Sequence, residues 1–211
     1  MRKTEKIVLG LLILSFAIGT FLYPQMPDQM ASHWNAQGQV DDYMSKFWGL
    51  FLLPFTSVFL FLLFVLVPKI DPLKVNIEKF RDYYDGFVAF MIIFLFYIYL
   101  LTVFWNFGIR FNMSRLLAPA LGLLFYYCGI LIKNTKRNWF IGIRTPWTLS
   151  SEKVWDKTHQ IGGKLFKIAG IVALCGVFFQ NYALFLVLVP VISVSIYTIV
   201  YSYFEYQKEI T

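Results

Sequence analysis

The sequence predicts an all-α integral membrane protein with six transmembrane helices, and three observations carry that prediction. Hydrophobic residues make up 58% of the 211 residues and charged residues only 15%, with a mean hydropathy of +0.62. A water-soluble domain of this size has no interior large enough to hide that much apolar surface. The apolar residues gather into six runs, each near the ~20 residues that a bilayer-crossing helix needs. The basic residues fall on alternate connections between the runs, as the positive-inside bias requires.

The runs are Ile7–Tyr23, Phe47–Val67, Phe87–Trp105, Leu116–Ile132, Leu165–Phe179 and Ala183–Phe204. The first follows Arg2, Lys3 and Lys6, and Ala17-Ile18-Gly19 imitates a secretory cleavage site. Its apolar stretch nevertheless continues to Tyr23, and the other five helices need a sixth for the charge bias to alternate, so it is read as a retained helix. The fifth run is short and carries Lys167, whose position near the polar end lets it snorkel to the headgroups. It gains length if the helix begins near Ile161. Only Gln180-Asn181-Tyr182 separates the last two runs, which predicts a tight antiparallel pair, and Pro190 predicts a kink in the sixth. Small residues four apart, Ala118 with Gly122 and Ala169 with Ala173, permit close helix approach.

Of the 19 Lys and Arg residues, all but Lys46, Arg110 and Arg115 fall on one side of this layout. Both termini and the fourth connection, residues 133–164, are therefore expected in the cytoplasm. Residues 24–46 are expected outside, the whole forming one polytopic domain of a cell membrane. The net charge of +7 then reads as topology and anionic-lipid contact, not direct nucleic-acid binding. Cys128 and Cys175 differ in depth by roughly 10 Å at 1.5 Å rise per residue, which favours packing over a disulfide. No Asp, Glu or Arg lies near the middle of a run, which counts against ion-coupled transport.

Two polar stretches hold the specific chemistry. The outer one reads YPQMPDQMASHWNAQGQVDDYMSKFWG. Pro24 and Pro27 keep the chain extended, and Gly38 permits a turn at positive φ. His33-Trp34 sets a titratable ring beside a large aromatic, with Asp28, Asp41 and Asp42 near in sequence. The stretch reads as a tight re-entry loop anchored by Trp34, Tyr43 and Trp48 at the headgroup belt, and as a recognition surface whose carboxylates attract a cationic partner. A zinc site at His33 with two aspartates lacks the ligand spacing.

The inner stretch, Ile141 to Gly163, reads IGIRTPWTLSSEKVWDKTHQIGG. Gly142 and Pro146 bracket Arg144-Thr145, and Pro146 biases Thr145 away from helix. Arg144 is thus presented on an extended segment, where its planar fork suits a phosphate or a carboxylate. Ser150 or Ser151 is placed to cap a short amphipathic interfacial helix running to about Gly162, with Glu152 in its first turn. Trp155 and Ile161 are expected to face lipid, and Gly162-Gly163 to turn the chain into the fifth span. Glu152, Asp156 and His159 share one face at i, i+4 and i+7. As a metal or acid–base cluster that face needs partners from elsewhere, and a solvated helix face is the favoured reading.

The inner stretch, extended to IGIRTPWTLSSEKVWDKTHQIGGKLF, is similar to the characteristic segment of the SdpI family of membrane proteins. MPDQMASHWNAQGQVD resembles the outer-loop pattern of Pro, His-Trp, Gly and Asp that often precedes it there. The resemblance implies a membrane immunity and signalling protein. Such a protein protects its cell from a secreted toxic peptide outside and relays the toxin's presence to a transcriptional repressor held at the membrane inside. Carried over position by position, the inner effector candidates are Gly142, Arg144, Thr145, Pro146, Trp147, Thr148 and Trp155. The outer ligand candidates are Pro27, His33, Trp34, Gly38 and Asp41. No cofactor is implied, and no catalytic or metal-ligand set is complete. A small-molecule or lipid transporter is the alternative, and a membrane enzyme acting through Glu152, Asp156 and His159 is the weaker one.

Overall fold

The computed structural model describes residues 2–210. Six helices are long and apolar enough to cross a membrane: α1 (Lys3–Leu22), α2 (Lys46–Ile70), α4 (Arg81–Asn106), α5 (Met113–Asn134), α7 (Glu152–Leu174) and α8 (Ala183–Ile210). Two short helices sit in connections, α3 (Lys74–Glu78) and α6 (Pro146–Ser150), and a two-stranded antiparallel hairpin, β1 (Gln29–Trp34) with β2 (Val40–Ser45), joins α1 to α2. The chain is a multi-pass membrane protein. One end of the bundle carries the hairpin and the other carries both termini.

The helices form two three-helix units. In the amino-terminal unit α1, α2 and α4 pack on one another, and in the carboxyl-terminal unit α5, α7 and α8 do so; α4 and α5 join the two. At the terminal end, Val8, Phe61, Ile77, Phe80 and Ile92 are buried together with Leu131 and Ile141 from the second unit. Arg2 fastens the amino terminus there: it pairs with Asp85 (2.5 Å), which Arg81 also holds (2.7 Å).

The second unit is built on direct backbone contact between α5 and α7. Gly122 and Gly129 of α5 face Gly170 and Gly163 of α7. A Cβ on Gly129 would lie 2.7 Å from the Gly163 carbonyl oxygen, and one on Gly170 would lie 2.6 Å from the Gly122 carbonyl oxygen. Backbone therefore touches backbone at two points seven residues apart on each helix. In lipid, where apolar side chains gain nothing by leaving the solvent, such contact is what holds helices together. The pairs Ala118/Gly122 and Ala169/Ala173 lie in this same packing, with Ala118, Gly122, Ala169 and Ala173 all buried.

Two expectations are corrected. Residues 24–46 do not form only a re-entry loop; β1 and β2 pair in the register Met30↔Met44 and Ala31↔Tyr43. No separate interfacial helix running from Ser150 or Ser151 to about Gly162 forms either; the fourth connection holds only the short α6. Ser151 caps a helix, accepting from the Val154 N–H (3.2 Å), but that helix is α7 itself and runs unbroken through Gly162-Gly163. Those glycines pass between neighbours instead of turning the chain: a Cβ on Gly162 would meet Ile143 at 2.5 Å. Trp155 is 0% exposed, not lipid-facing. Pro190 lies inside α8, which continues past it to Ile210.

Gly129→Leu forces α5 off α7 and is expected to destabilise the bundle by about 3 kcal/mol, whereas Gly10→Ala, with open space at Gly10, changes stability by less than about 0.5 kcal/mol. Titration of the micelle-solubilised protein with sodium dodecyl sulfate, followed by tryptophan fluorescence, checks both.

Candidate functional site

At one end the outer pattern becomes a braced hairpin. Asn35 closes its turn: the side-chain oxygen accepts from the Gln37 and Gln39 N–H groups (3.0 Å each). Gly38 adopts φ +77°, which only glycine takes without strain, and a Cβ there would also strike Asn112 at 2.6 Å. Asn112 donates to the Gln37 carbonyl (2.8 Å). Asn106, at the end of α4, plays the part of a missing strand for Ala31, accepting from its N–H (2.7 Å) and donating to its carbonyl (3.1 Å). Met30 is fully buried against Gly49 of α2, where a Cβ would lie 2.8 Å away.

The irregular stretch of β1 around His33 turns His33 onto Asp41, Nδ1 to Oδ1 at 2.6 Å, on an exposed face. Trp34 turns inward, edge-on to Trp105 at 5.7 Å, and the Arg110 guanidinium covers the other ring at 3.5 Å from its centre. The Trp34 indole N–H is buried without an acceptor. Beneath the hairpin lies a cavity of about 360 Å³, lined by His33, Trp34 and Trp48 together with Leu53, Ile98 and Leu117. Pro27 is exposed beside the buried Met26. At the base of the hairpin the Lys46 ammonium, 2.8 Å from Asp28, holds that carboxyl below its usual range by hydrogen bonding and charge. A depressed carboxyl stabilises only above its unfolded pKa and loses that contribution as pH falls through the folded value; full exposure makes the contribution small.

At the other end the inner segment is a fixed turn rather than a surface helix. Asn138, fully buried, donates to the Lys136 and Ile141 carbonyls (2.8 Å each) and accepts from the Phe140 and Ile141 N–H groups. The α2–α4 connection docks on it through Asp71, which accepts from the Trp139 N–H (2.9 Å), and Asn76, which donates to the Arg137 carbonyl (2.9 Å).

Trp155 and His159, one turn apart on α7, are both buried and stack at 3.9 Å. Trp155 Nε1 donates to the Thr135 carbonyl (3.1 Å). His159 Nε2 accepts from the Ile143 N–H (2.9 Å), so its proton sits on Nδ1, which donates to the Trp155 carbonyl (2.8 Å). The bond selects one neutral tautomer. Gly142 makes this approach possible at φ +114°, because a Cβ there would lie 2.5 Å from His159 Nε2.

Thr145 and Thr148 cap α6 reciprocally, the Thr148 N–H donating to Thr145 Oγ1 and the Thr145 N–H to Thr148 Oγ1. Pro146 fills the first helical position, where no N–H is needed. Thr145 Oγ1 lies 3.0 Å from Ser202 Oγ of α8, and Trp147 packs edge-on against Tyr203 at 5.1 Å. Arg144 is exposed and donates to the Trp139 carbonyl (2.8 Å).

Glu152, Asp156 and His159 do share a face, but each spends it on the turn: Glu152 lies 3.5 Å from Arg137, Asp156 3.4 Å from Lys136, and His159 takes the Ile143 N–H. Among the described residues no group of three His, Cys, Asp or Glu side chains is placed to hold a metal. Sequence reasoning passed over the carboxamides and Asp71 that brace both ends. Their one signal is position, as short polar side chains next to the ends of apolar runs.

His159→Ala removes the Ile143 acceptor and is expected to cost about 1–3 kcal/mol of local stability, seen as faster hydrogen exchange over residues 140–145. His159→Gln, whose amide oxygen reaches the place of Nε2, is expected to restore part of the protection.

The comparisons with known proteins fall on these same two regions. A family model described as the SdpI/YfhL protein family matches residues 134–202, and a domain of unknown function (DUF1648) matches residues 10–58. The chain is 24% identical, over 98% of its own length and 97% of the relative's, to the Immunity protein SdpI of Bacillus subtilis (strain 168). No solved structure matches. The braced turn, its two threonine caps and the helix pair that carries them are thus the part of the chain that matches the SdpI/YfhL protein family model.

Proposed function

We propose that the protein is a membrane immunity protein that engages a secreted toxic peptide at its hairpin end and reports that engagement through its inner segment. The observation that carries the reading is likeness to an immunity protein along nearly the whole chain, joined to a structure with one built element at each end of the bundle. The charge bias supports a cytoplasmic inner segment and an outward hairpin. His33 and Trp34 are the strongest contact candidates outside, because they line the apolar cavity. Pro27 and Asp41 flank them, while Gly38 fixes the turn.

Inside, the exposed cations of residues 133–164 suit an acidic face on a transcriptional repressor held at the membrane. Gly142, Thr145, Pro146, Trp147, Thr148 and Trp155 shape that platform and leave the contact to exposed neighbours such as Arg144 and Lys153. Transmission needs the two ends to share an element, and α7 with α8 supplies one, since both meet the inner segment and both reach the hairpin end.

Expression in a host killed by an Sdp-type peptide is expected to restore survival, and Trp34→Ala is expected to lower protection at unchanged membrane abundance. A membrane-inserted chain that gives no protection counts against the reading. Recovery of the host's repressor with the membrane fraction only during peptide exposure would support the relay.

A further inference from the structure

The seam between the two three-helix units holds a second cavity, of about 320 Å³, at the terminal end. Phe64 and Phe87 come to it from the amino-terminal unit, Cys128 and Phe166 from the carboxyl-terminal unit, and Phe140 and Ile143 from the inner segment. Its size falls within the ~300–1,000 Å³ of ordinary ligand sites, and none of its lining residues is Asp, Glu, Lys or Arg. Cys128 lies less than two turns from the end of α5 at Asn134, so the cavity sits just below headgroup depth.

The chain next to the cavity wall has the opposite character. Arg144 follows Ile143 of the cavity wall, and its bond to the Trp139 carbonyl holds the guanidinium on the braced turn with most of its donors free. Lys69 and Lys74 flank Asp71, which grips the same turn at Trp139. Among the described residues neither these two lysines nor Arg144 has a carboxylate partner. Trp139 and Phe140 are 51% and 40% exposed beside them, the aromatic pairing typical of the membrane–water interface.

We infer that this cavity binds an anionic phospholipid, with one acyl chain in the seam and the headgroup phosphate on Arg144. Each half of the site selects for part of that ligand. A charge-free wall offers a free inorganic phosphate no counter-charge, and a mostly apolar lining favours an acyl chain over water. A cation next to the wall, Arg144 after Ile143, favours a lipid of net negative charge over a zwitterionic one of the same chain length. Arg144 supplies the planar fork that a phosphate matches in two bonds. The inference does not depend on the immunity reading, because the site is complete without a peptide.

The full-length protein in nanodiscs is exposed to phosphatidylglycerol or phosphatidylcholine carrying an acyl-chain diazirine, irradiated, and mapped by mass spectrometry. Phosphatidylglycerol adducts are expected on the peptides containing Cys128 and Phe166. Arg144→Gln is expected to reduce them about fivefold, the worth of one interfacial cation, and Arg144→Lys less. Cys128→Phe, which fills the cavity, is expected to abolish the adducts while the melting transition is retained. Equal labelling by the two lipids, labelling indifferent to Arg144→Gln, or labelling that survives Cys128→Phe would each overturn the inference. Displacement of the lipid by millimolar inorganic phosphate would also overturn it, by assigning Arg144 to a free anion.

Discussion

Backbone contact between α5 and α7 is the constraint from which the carboxyl-terminal half follows. Lipid tails are as apolar as leucine, so helices in a bilayer associate through close packing and not through escape from solvent. Gly122 against Gly170, and Gly129 against Gly163, give that packing its closest form. Once these pairs are set, the register of the two helices is fixed, and so is the distance the chain must cover between Asn134 and Glu152. The intervening residues have to fold back over the start of α7, which is why its Trp155–His159 face is covered by protein rather than by lipid or water.

The inner segment then behaves as a lock with few moving parts. Its backbone N–H and C=O groups, which would be costly to bury unpaired, are taken up by Asn138, Asp71, His159, Thr148 and Trp155. These partners come from the α2–α4 connection, from α7 and from the turn itself, while Thr145 and Trp147 reach α8. One short segment therefore touches most of the terminal end of both units. A change in the relative position of the units would be felt at this segment first, and the seam cavity beneath it is where such a change has room to occur.

The six spans were legible because length and hydropathy are local quantities, and a bilayer accepts few other solutions. The start of the fifth was not. Glu152 to His159 is polar enough to read as a surface helix, and nothing local says that Trp155 and His159 are covered by residues 135–143. The Glu152/Asp156/His159 face is legible as a face, but its use depends on Arg137, Lys136 and the Ile143 N–H, each fifteen or more positions away. The hairpin was hidden for a related reason: MASHW and VDDYM are too short and mixed to announce strands, and Asn106, 75 residues from Ala31, completes the edge of β1.

What the sequence determined by itself was the solvent, the number of crossings and the residues able to take special roles: Gly38 for positive φ, Pro146 for keeping Thr145 out of helix, Ser151 for a cap. Each of these is a property of one residue and its immediate neighbours. What only the tertiary structure decided was which polar groups meet across the bundle, that a histidine in a catalytic-looking pattern is an acceptor for one backbone N–H, and that two apolar cavities lie along one seam. Those outcomes rest on distances between segments far apart in the chain, and such distances are set by how closely the helices approach.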